Sequence, residues 1–290
     1  MFMPARNTFA PSSGSALIPI SDAIATLPTL AQTAAHHSRS ERYSVVSTAD
    51  TLRHLESEGF GVARIKVASV RKTDRFGFEK HAITLRHVNA SPVNGVMPEV
   101  VLINSHDGSS AWCLFAGLFR FICENGLVVG DSVSAMKVYH RGADLSGAVV
   151  DAAHKVIAAQ SDVLAMVDTW RGITMSPDAI DAFASEAHAI RFPGFYRADR
   201  PEDSRDAPIT PAALTIARRN DDTGNDLWSV FNRVQENVVR GGIAGVTVNG
   251  RGKMRKLTVR GLRSVDSELS ANRALFDLAR RTADDLAIAA

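Results

Sequence analysis

Four cations and two aromatic rings alternate in the segment from residue 71 to residue 80. Phosphate groups attract cations and exposed bases stack on aromatic rings, so this composition is typical of a surface for single-stranded nucleic acid. The predicted strands on either side would extend the positive surface. The candidate contacts are Arg64, Lys66, Arg71, Lys72, Arg75, Phe76, Phe78, Lys80 and Arg86. The alternative is a solvated hairpin tip with both phenylalanines folded beneath it.

A second group of cations surrounds the predicted turn at Asn249-Gly250, and no acidic residue lies between Glu236 and Asp266. Its six members are Arg251, Lys253, Arg255, Lys256, Arg260 and Arg263. Like charges this close repel one another unless an anion is nearby, so the pattern predicts a phosphate-bearing partner, with the first four as contacts. The alternative is a charged strand edge that prevents aggregation.

A polar motif runs from Asn104 to Ser110 and precedes an apolar segment that we predict to be a helix. Hydroxyls and free backbone amides at the beginning of a helix bind anions. Helix capping is the commoner use of Asp and Ser at such a position. The candidate side chains for an anion or partner site are Ser105, His106, Asp107 and Ser109.

The same motif would supply ligands to a metal-dependent enzyme. His106 and Asp107, together with His81 or His87, are residue types that bind metal ions and could serve a nuclease. This enzyme is the second hypothesis. The leading hypothesis below requires no catalytic residue, no metal and no cofactor.

A stripe of larger side chains runs along the helix predicted to begin at Asn225 or Asp226. Trp228, Asn232 and Gln235 follow one another at helical spacing, beside the apolar face. An aromatic ring followed by two amides could contact a base or a peptide. It could equally pack within the protein with its amides satisfied internally.

The spacing of apolar residues places these candidates on an α+β fold. An N-terminal helix, an antiparallel sheet and a further helix form a β-β-β-α core, and a mainly helical C-terminal half contains a β-hairpin. Helices are predicted near residues 48–58, 111–123 and 143–170, beginning at Ser176-Pro177, Thr210-Pro211 and Asp226, and near 264–286. Strands are predicted near 60–70, 80–87, 99–104, 135–140 and, as a hairpin, 243–260.

Composition shifts divide the chain into four parts. Residues 1–40 have few charges and few periodic apolar residues and predict a flexible arm that contributes no core. Residues 41–190 are expected to form the α+β core. Residues 191–208 are dense in charge and proline and predict a loop or linker, and residues 209–290 form the C-terminal part, packed on the core.

Several function classes are excluded by what the sequence lacks. The chain of 290 residues has 33 Lys and Arg against 31 Asp and Glu, so attraction to nucleic acid must come from local clusters. Its two cysteines allow neither a disulfide framework nor a cysteine-based zinc site. Nucleotide-binding loops, the serine-hydrolase elbow and the zinc-protease motif do not occur. No signal peptide or membrane span is evident, so we expect a cytoplasmic protein.

Several segments together resemble a family associated with phages and plasmids, the domain of unknown function 932. The resemblance implies a mobile-element origin and a bacterial cytoplasm. It covers about residues 43–280 and rests on Ser44-Val45-Val46, Asn104-Ser105-His106-Asp107-Gly108-Ser109-Ser110, Arg120-Phe121-Ile122-Cys123-Glu124-Asn125-Gly126-Leu127, Leu227-Trp228-Ser229-Val230-Phe231-Asn232-Arg233-Val234-Gln235-Glu236-Asn237 and Asn272-Arg273-Ala274-Leu275-Phe276.

The order helix, three strands, helix is also similar to the core of single-strand annealing proteins, a likeness of topology that does not determine function. We therefore expect a protein that binds single-stranded DNA and assists annealing in recombination or replication. The alternatives are the metal-dependent nucleic-acid-processing enzyme and an oligomeric accessory or regulatory protein that uses the Trp228 helix.

Overall fold

The computed structural model describes residues 8–9, 16–92, 95–120, 125–128, 135–138, 155, 158, 160–195, 207–248 and 253–289. The chain divides into two compact units, Met1–Leu164 and Ala165–Ala290. The sequence placed the division later, at residues 191–208. Its signal was local charge and proline, whereas the division depends on which elements contact one another.

The first unit is built around an antiparallel sheet. Its strands pair in the order β1-β2-β3-β4-β5, and β6 and β7 both pair with β5. The bounds are β1 (Thr8–Phe9), β2 (Phe60–Val67), β3 (His81–His87), β4 (Val96–Asn104), β5 (Trp112–Arg120), β6 (Asn125–Val128) and β7 (Ala135–Val138). The central strands are buried on both faces, as Leu85 and Thr84 of β3 illustrate.

The segment predicted as a helix near 111–123 is strand β5, and this prediction is wrong. A short, continuously apolar segment has no periodicity that separates a helix from a fully buried strand. Tertiary pairing decides the outcome, because β5 bonds to β4 along its length on one edge and to β6 and β7 on the other. Trp112, Leu114 and Ala116 are completely buried.

Strand β2 also departs from simple alternation. Its pairing with β3 shifts register between Val62 and Arg64, which marks a β-bulge. A bulge inserts one residue, so side chains before and after it change face. Val62 and Ile65 are three residues apart, and both are buried.

Three helices of the first unit contact one another or β2: α1 (Ile20–Thr26), α2 (Pro28–Ala31) and α3 (Thr48–Ser57). The first two lie in the segment expected to be a flexible arm, and Ile20, Ala23 and Leu30 are buried. Leu30 is buried completely, so this part of the segment does contribute core. Helix α3 begins as predicted, since the Ser47 side chain accepts a hydrogen bond from the Asp50 amide.

The second unit is mainly helical. It contains α4 (Gln160–Gly172), α5 (Pro177–Arg191), α6 (Leu227–Arg240) and α7 (Val265–Ala289), with the hairpin of β8 (Gly241–Val248) and β9 (Met254–Arg260). Short 3-10 turns lie at Pro193–Phe195, Pro211–Thr215 and Asn220–Asp222. The Trp170 ring lies 5.0 Å from the Phe276 ring and 5.5 Å from the Phe231 ring, between centroids, in an aromatic core.

The α+β class is confirmed, with N-terminal helices, an antiparallel sheet and a mainly helical second half that carries a hairpin. None of the described helices combines the length and the apolar composition that crossing a bilayer requires.

Candidate functional site

The loop from residue 71 to residue 80 is fastened to the first unit through Phe78. The Phe78 carbonyl accepts hydrogen bonds from the His106 and Asp107 amides, at 3.0 and 3.1 Å. Its ring is half-buried, with the His36 ring edge-on to it at 5.2 Å. Phe76 is 56% exposed. Of the two predicted stacking residues, Phe76 is therefore the one that offers a largely exposed ring.

The cations of this loop divide into two groups. Arg71 and Lys72 are exposed. Arg75 is half-buried, and its Nη1 lies 3.4 Å from a carboxylate oxygen of Asp107. Lys80 is half-buried. The first two remain candidates for phosphate, whereas Arg75 already has an acidic neighbour.

The basic sheet face expected from Arg64, Lys66 and Arg86 is not an open positive surface. Arg86 is 4% exposed, and its Nη2 lies 2.7 Å from Oε1 of Glu99, which is 2% exposed. Burial raises the pKa of Glu99, while the charges of Arg64 and Arg86 act to lower it. Glu99 belongs to the neighbouring strand, so strand register placed an acid on a face that the sequence of β2 and β3 presents as basic.

The motif Asn104–Ser110 connects β4 to β5 and does not begin a helix. The anion site at a helix N-terminus is therefore a wrong prediction. The side chains satisfy the backbone of the turn instead: Asp107 Oδ1 accepts from the Ser109 amide at 2.9 Å, and Ser105 Oγ accepts from the Ser110 amide at 2.9 Å. The role of these side chains is structural, but they stabilise a turn between two strands and do not cap a helix as the alternative predicts.

A buried polar network lies where β3, β4 and the first turn of α3 meet. His81 pairs with Asn104 across the two strands. Oγ1 of Thr48 lies 2.9 Å from Nε2 of His81 and 3.4 Å from Nε2 of His106, and it accepts a 2.9 Å bond from Nδ2 of Asn104. Thr29 Oγ1 lies 3.1 Å from the other ring nitrogen of His81. The network ties α2 and α3 to the sheet.

The electrostatics of this network keep His81 neutral. The ring is fully buried, and desolvation lowers the pKa of His81 from 6.5 to about 3. The nearby His106 acts in the same direction. The centroids of these two rings are 5.8 Å apart, and neither residue is accessible to solvent. His87 lies at the other end of β3 against Phe60, so it does not join them.

A group of exposed cations of the second unit lies on the hairpin. Lys253, Arg255 and Lys256 are exposed, and Arg251 lies outside the described residues. Arg255 pairs with Thr247 and Lys256 with Val246, so the two adjacent cations occupy opposite faces. The face with Lys256 also carries three exposed apolar side chains, Val246, Val248 and Met254.

A cavity of 610 Å³ lies beside the base of the hairpin. Its lining includes Arg191, Arg260, Arg263 and Ser267. The buried Nε of Arg191 has no hydrogen-bond partner within the part of the chain that the structure describes, and its Nη2 donates to the Arg260 carbonyl at 2.6 Å. Burial lowers the pKa of Arg191. Three arginines thus contribute to the lining of the cavity.

Arg191 was not among the sequence candidates. It lies 69 residues before Arg260, beyond the reach of any local pattern. Among the described residues, no acid forms an ion pair with Arg255, Lys256, Arg260 or Arg263. The clustered positive charge inferred from the sequence is therefore present on β9 and at its base.

The stripe of Trp228, Asn232 and Gln235 is buried within the second unit. Nδ2 of Asn232 donates to the Trp228 carbonyl at 2.6 Å, and Nε2 of Gln235 donates to Oδ1 of Asn272 at 2.7 Å. The Trp228 and Phe231 rings are stacked at 5.8 Å. Internal packing, the alternative for this stripe, is the arrangement that the structure has.

Comparison with known proteins shows which family the chain belongs to. The model of a domain of unknown function, DUF932, matches residues 35–276, a range that includes the 71–80 loop, His81 and the hairpin. The chain belongs to this family.

Two curated relatives come from Escherichia coli strain K12. The chain is similar to the UPF0380 protein YafZ, with 35% identity over 244 residues, and to the UPF0380 protein YfjQ, with 33% identity over 244 residues. Each match covers 84% of this chain and 84% of the relative. No solved structure matches the chain. In this DUF932 protein, exposure and charge identify the side chains that are available to bind a ligand.

Proposed function

We propose that this protein binds single-stranded nucleic acid through the hairpin β8–β9 and the arginine-lined cavity at its base. The observation that carries the proposal is the group of exposed cations on β9, with no acid paired to Arg255 or Lys256 among the described residues. Clustered cations without acidic neighbours attract phosphate and release its counterions when they bind it.

The two faces of the hairpin suit different parts of a nucleic acid strand. Lys256 has Val246 and Val248 close to it on one face, so a phosphate contact and an apolar contact with a base are available together. Arg255 on the opposite face and Arg263 at the cavity offer phosphate contacts alone. A strand whose bases are unpaired can use both kinds of contact, and a duplex cannot.

The proposed biological setting is recombination or replication of a phage or plasmid element, with strand annealing as the activity assisted. The loop of the first unit supports binding in the same way, because Arg71, Lys72 and Phe76 are exposed there. The alternative of a metal-dependent enzyme built on His106 and Asp107 is not favoured, because His81 and His106 are inaccessible to a substrate.

The test is a fluorescence-polarisation titration of a labelled oligothymidine, repeated over a range of salt concentrations. Arg255→Ala and Lys256→Ala should each weaken binding, and each lost phosphate contact should reduce the magnitude of the salt slope by about 0.7. Arg281→Ala is the matched control: it also removes one positive charge from an exposed side chain, but Arg281 is paired with Glu186.

The control variant should bind as the unmodified protein does. A competitor duplex should displace the oligothymidine less well than an unlabelled single strand. No affinity at low salt, or equal losses in Arg281→Ala and in the hairpin variants, would contradict the proposal.

A further inference from the structure

His36, His37 and Asp74 bring three metal-binding side chains together in the first unit. One ligand atom from each lies within 4.8 Å of the others. None of the three was a candidate in the sequence, although two adjacent histidines were visible there. Asp74 is distant in the chain and reaches them because the 71–80 loop is fastened beside this segment.

The backbone holds His36 in place. Its amide donates to the His106 carbonyl at 2.9 Å, and its carbonyl accepts from the Arg39 amide at 2.8 Å. The side chain is 2% exposed, whereas His37 and Asp74 are exposed. One ligand is therefore rigid and buried, and two are free to adjust around it.

The buried ring leaves one nitrogen without a hydrogen bond. Nε2 of His36 has no hydrogen-bond partner among the described residues, and the nearest acidic oxygen is Oδ2 of Asp74 at 3.7 Å. Two ligands of a tetrahedral zinc ion, each about 2.0–2.1 Å from the metal, are about 3.4 Å apart. The separation thus suits a shared ion better than it suits a hydrogen bond.

The other nitrogen of His36 is already oriented. Nδ1 lies 2.8 Å from Oγ of Ser38 and accepts a hydrogen bond from the Ser38 amide at 3.2 Å. For a metal to bind Nε2, the proton of the neutral ring must be on Nδ1, which then donates it to the serine hydroxyl and gives up the bond from the amide. A hydrogen bond on the far nitrogen is the usual means of orienting a metal-binding histidine.

We propose that His36, His37 and Asp74 form a binding site for a divalent transition metal of the zinc class. Two imidazoles and one carboxylate favour such an ion over magnesium, which prefers oxygen ligands. Three protein ligands leave a fourth position open to solvent, as in zinc sites that bind an external group. The ion would join the His36–Ser38 turn to the loop that carries Arg71 and Lys72.

The test is isothermal titration calorimetry of the full chain with Zn²⁺, without nucleic acid, together with the visible absorption of the Co²⁺ form. The unmodified protein should bind one equivalent of metal, and excess Mg²⁺ should not compete. Loss of a group that merely orients a ligand costs about 10–100-fold in affinity, so His37→Ala and Asp74→Ala should cost at least as much.

Two control variants separate this site from general metal binding. Asp50→Ala removes another exposed aspartate, and His87→Ala removes another histidine of the first unit. Both should retain the affinity of the unmodified protein. The proposal is overturned if the unmodified chain shows no saturable binding, or if the two site variants bind as tightly as the controls. Neither result tests the hairpin, so the proposal of nucleic-acid binding depends only on the oligothymidine titration.

Discussion

Replacing His81 by glutamine should make the stability of the protein less sensitive to mild acid. In the folded protein burial lowers the pKa of His81 from 6.5 to about 3, so the folded state does not take up this proton above pH 3. The unfolded chain does take it up as the pH falls below 6.5. Since the unfolded state then binds more protons, acid favours unfolding.

The magnitude follows from the two pKa values. Between pH 7 and pH 5 the unfolded state gains about 0.7 of a proton at this position, and the folded state gains almost none. At about 1.4 kcal/mol per pH unit below 6.5, His81 alone should lower the free energy of unfolding by about 2 kcal/mol over this interval. Stability from this group is complete above pH 6.5 and is lost as the pH falls toward 3.

The assay is urea unfolding followed by circular dichroism at pH 7 and at pH 5. His81→Gln keeps a polar side chain between the Thr29 and Thr48 hydroxyls but does not titrate. The variant should be less stable than the unmodified protein at pH 7, and the difference should shrink by about 2 kcal/mol at pH 5.

Ile83→Val is the matched control, because Ile83 is on the same strand, is completely buried and does not titrate. Its cost of about 1 kcal/mol should be the same at both pH values. If His81→Gln and the unmodified protein lose the same stability between pH 7 and pH 5, the reasoning from burial is refuted.

Three further predictions concern stability, each measured by urea unfolding at neutral pH. Arg86→Met leaves the buried Glu99 carboxylate without its 2.7 Å partner and should cost about 3–5 kcal/mol, and adding Glu99→Gln should recover part of the loss. Leu30→Ala should cost about 2–5 kcal/mol, because Leu30 is completely buried, and a negligible cost would restore the flexible-arm interpretation. Asp226→Ala removes the helix cap on the Ser229 amide and should cost about 1 kcal/mol, whereas Asp226→Asn should cost less.

Helix starts were predictable because their signals are local. Ser47, Ser176 and Asp226 each cap a helix at the predicted position, through a bond between the side chain and an amide three residues on. A cap needs only neighbouring residues, so its chemistry is complete within one turn. The hairpin was predictable for a similar reason, since its two strands are close in the chain.

Strand β5 shows that the local sequence alone does not always determine the secondary structure. Its continuous apolar run suits a buried helix and a central strand equally well, and only its pairing with β4, β6 and β7 distinguishes them. The sequence likewise identified only part of the candidate site. The sequence located the cations of β9 correctly in a region without acids, but it missed Arg191, which joins them from another element.

By itself, the sequence determined the α+β class, most helix starts, and the separation of positive charge on β9 from every acid nearby in the chain. Tertiary structure decided which charged and polar groups remain available. Arg86 is neutralised because strand register sets Glu99 beside it, and His81 is buried because α3 covers the end of β3. Burial and pairing arise between elements remote in the chain, and the energy of a charge depends on the groups and the solvent around it.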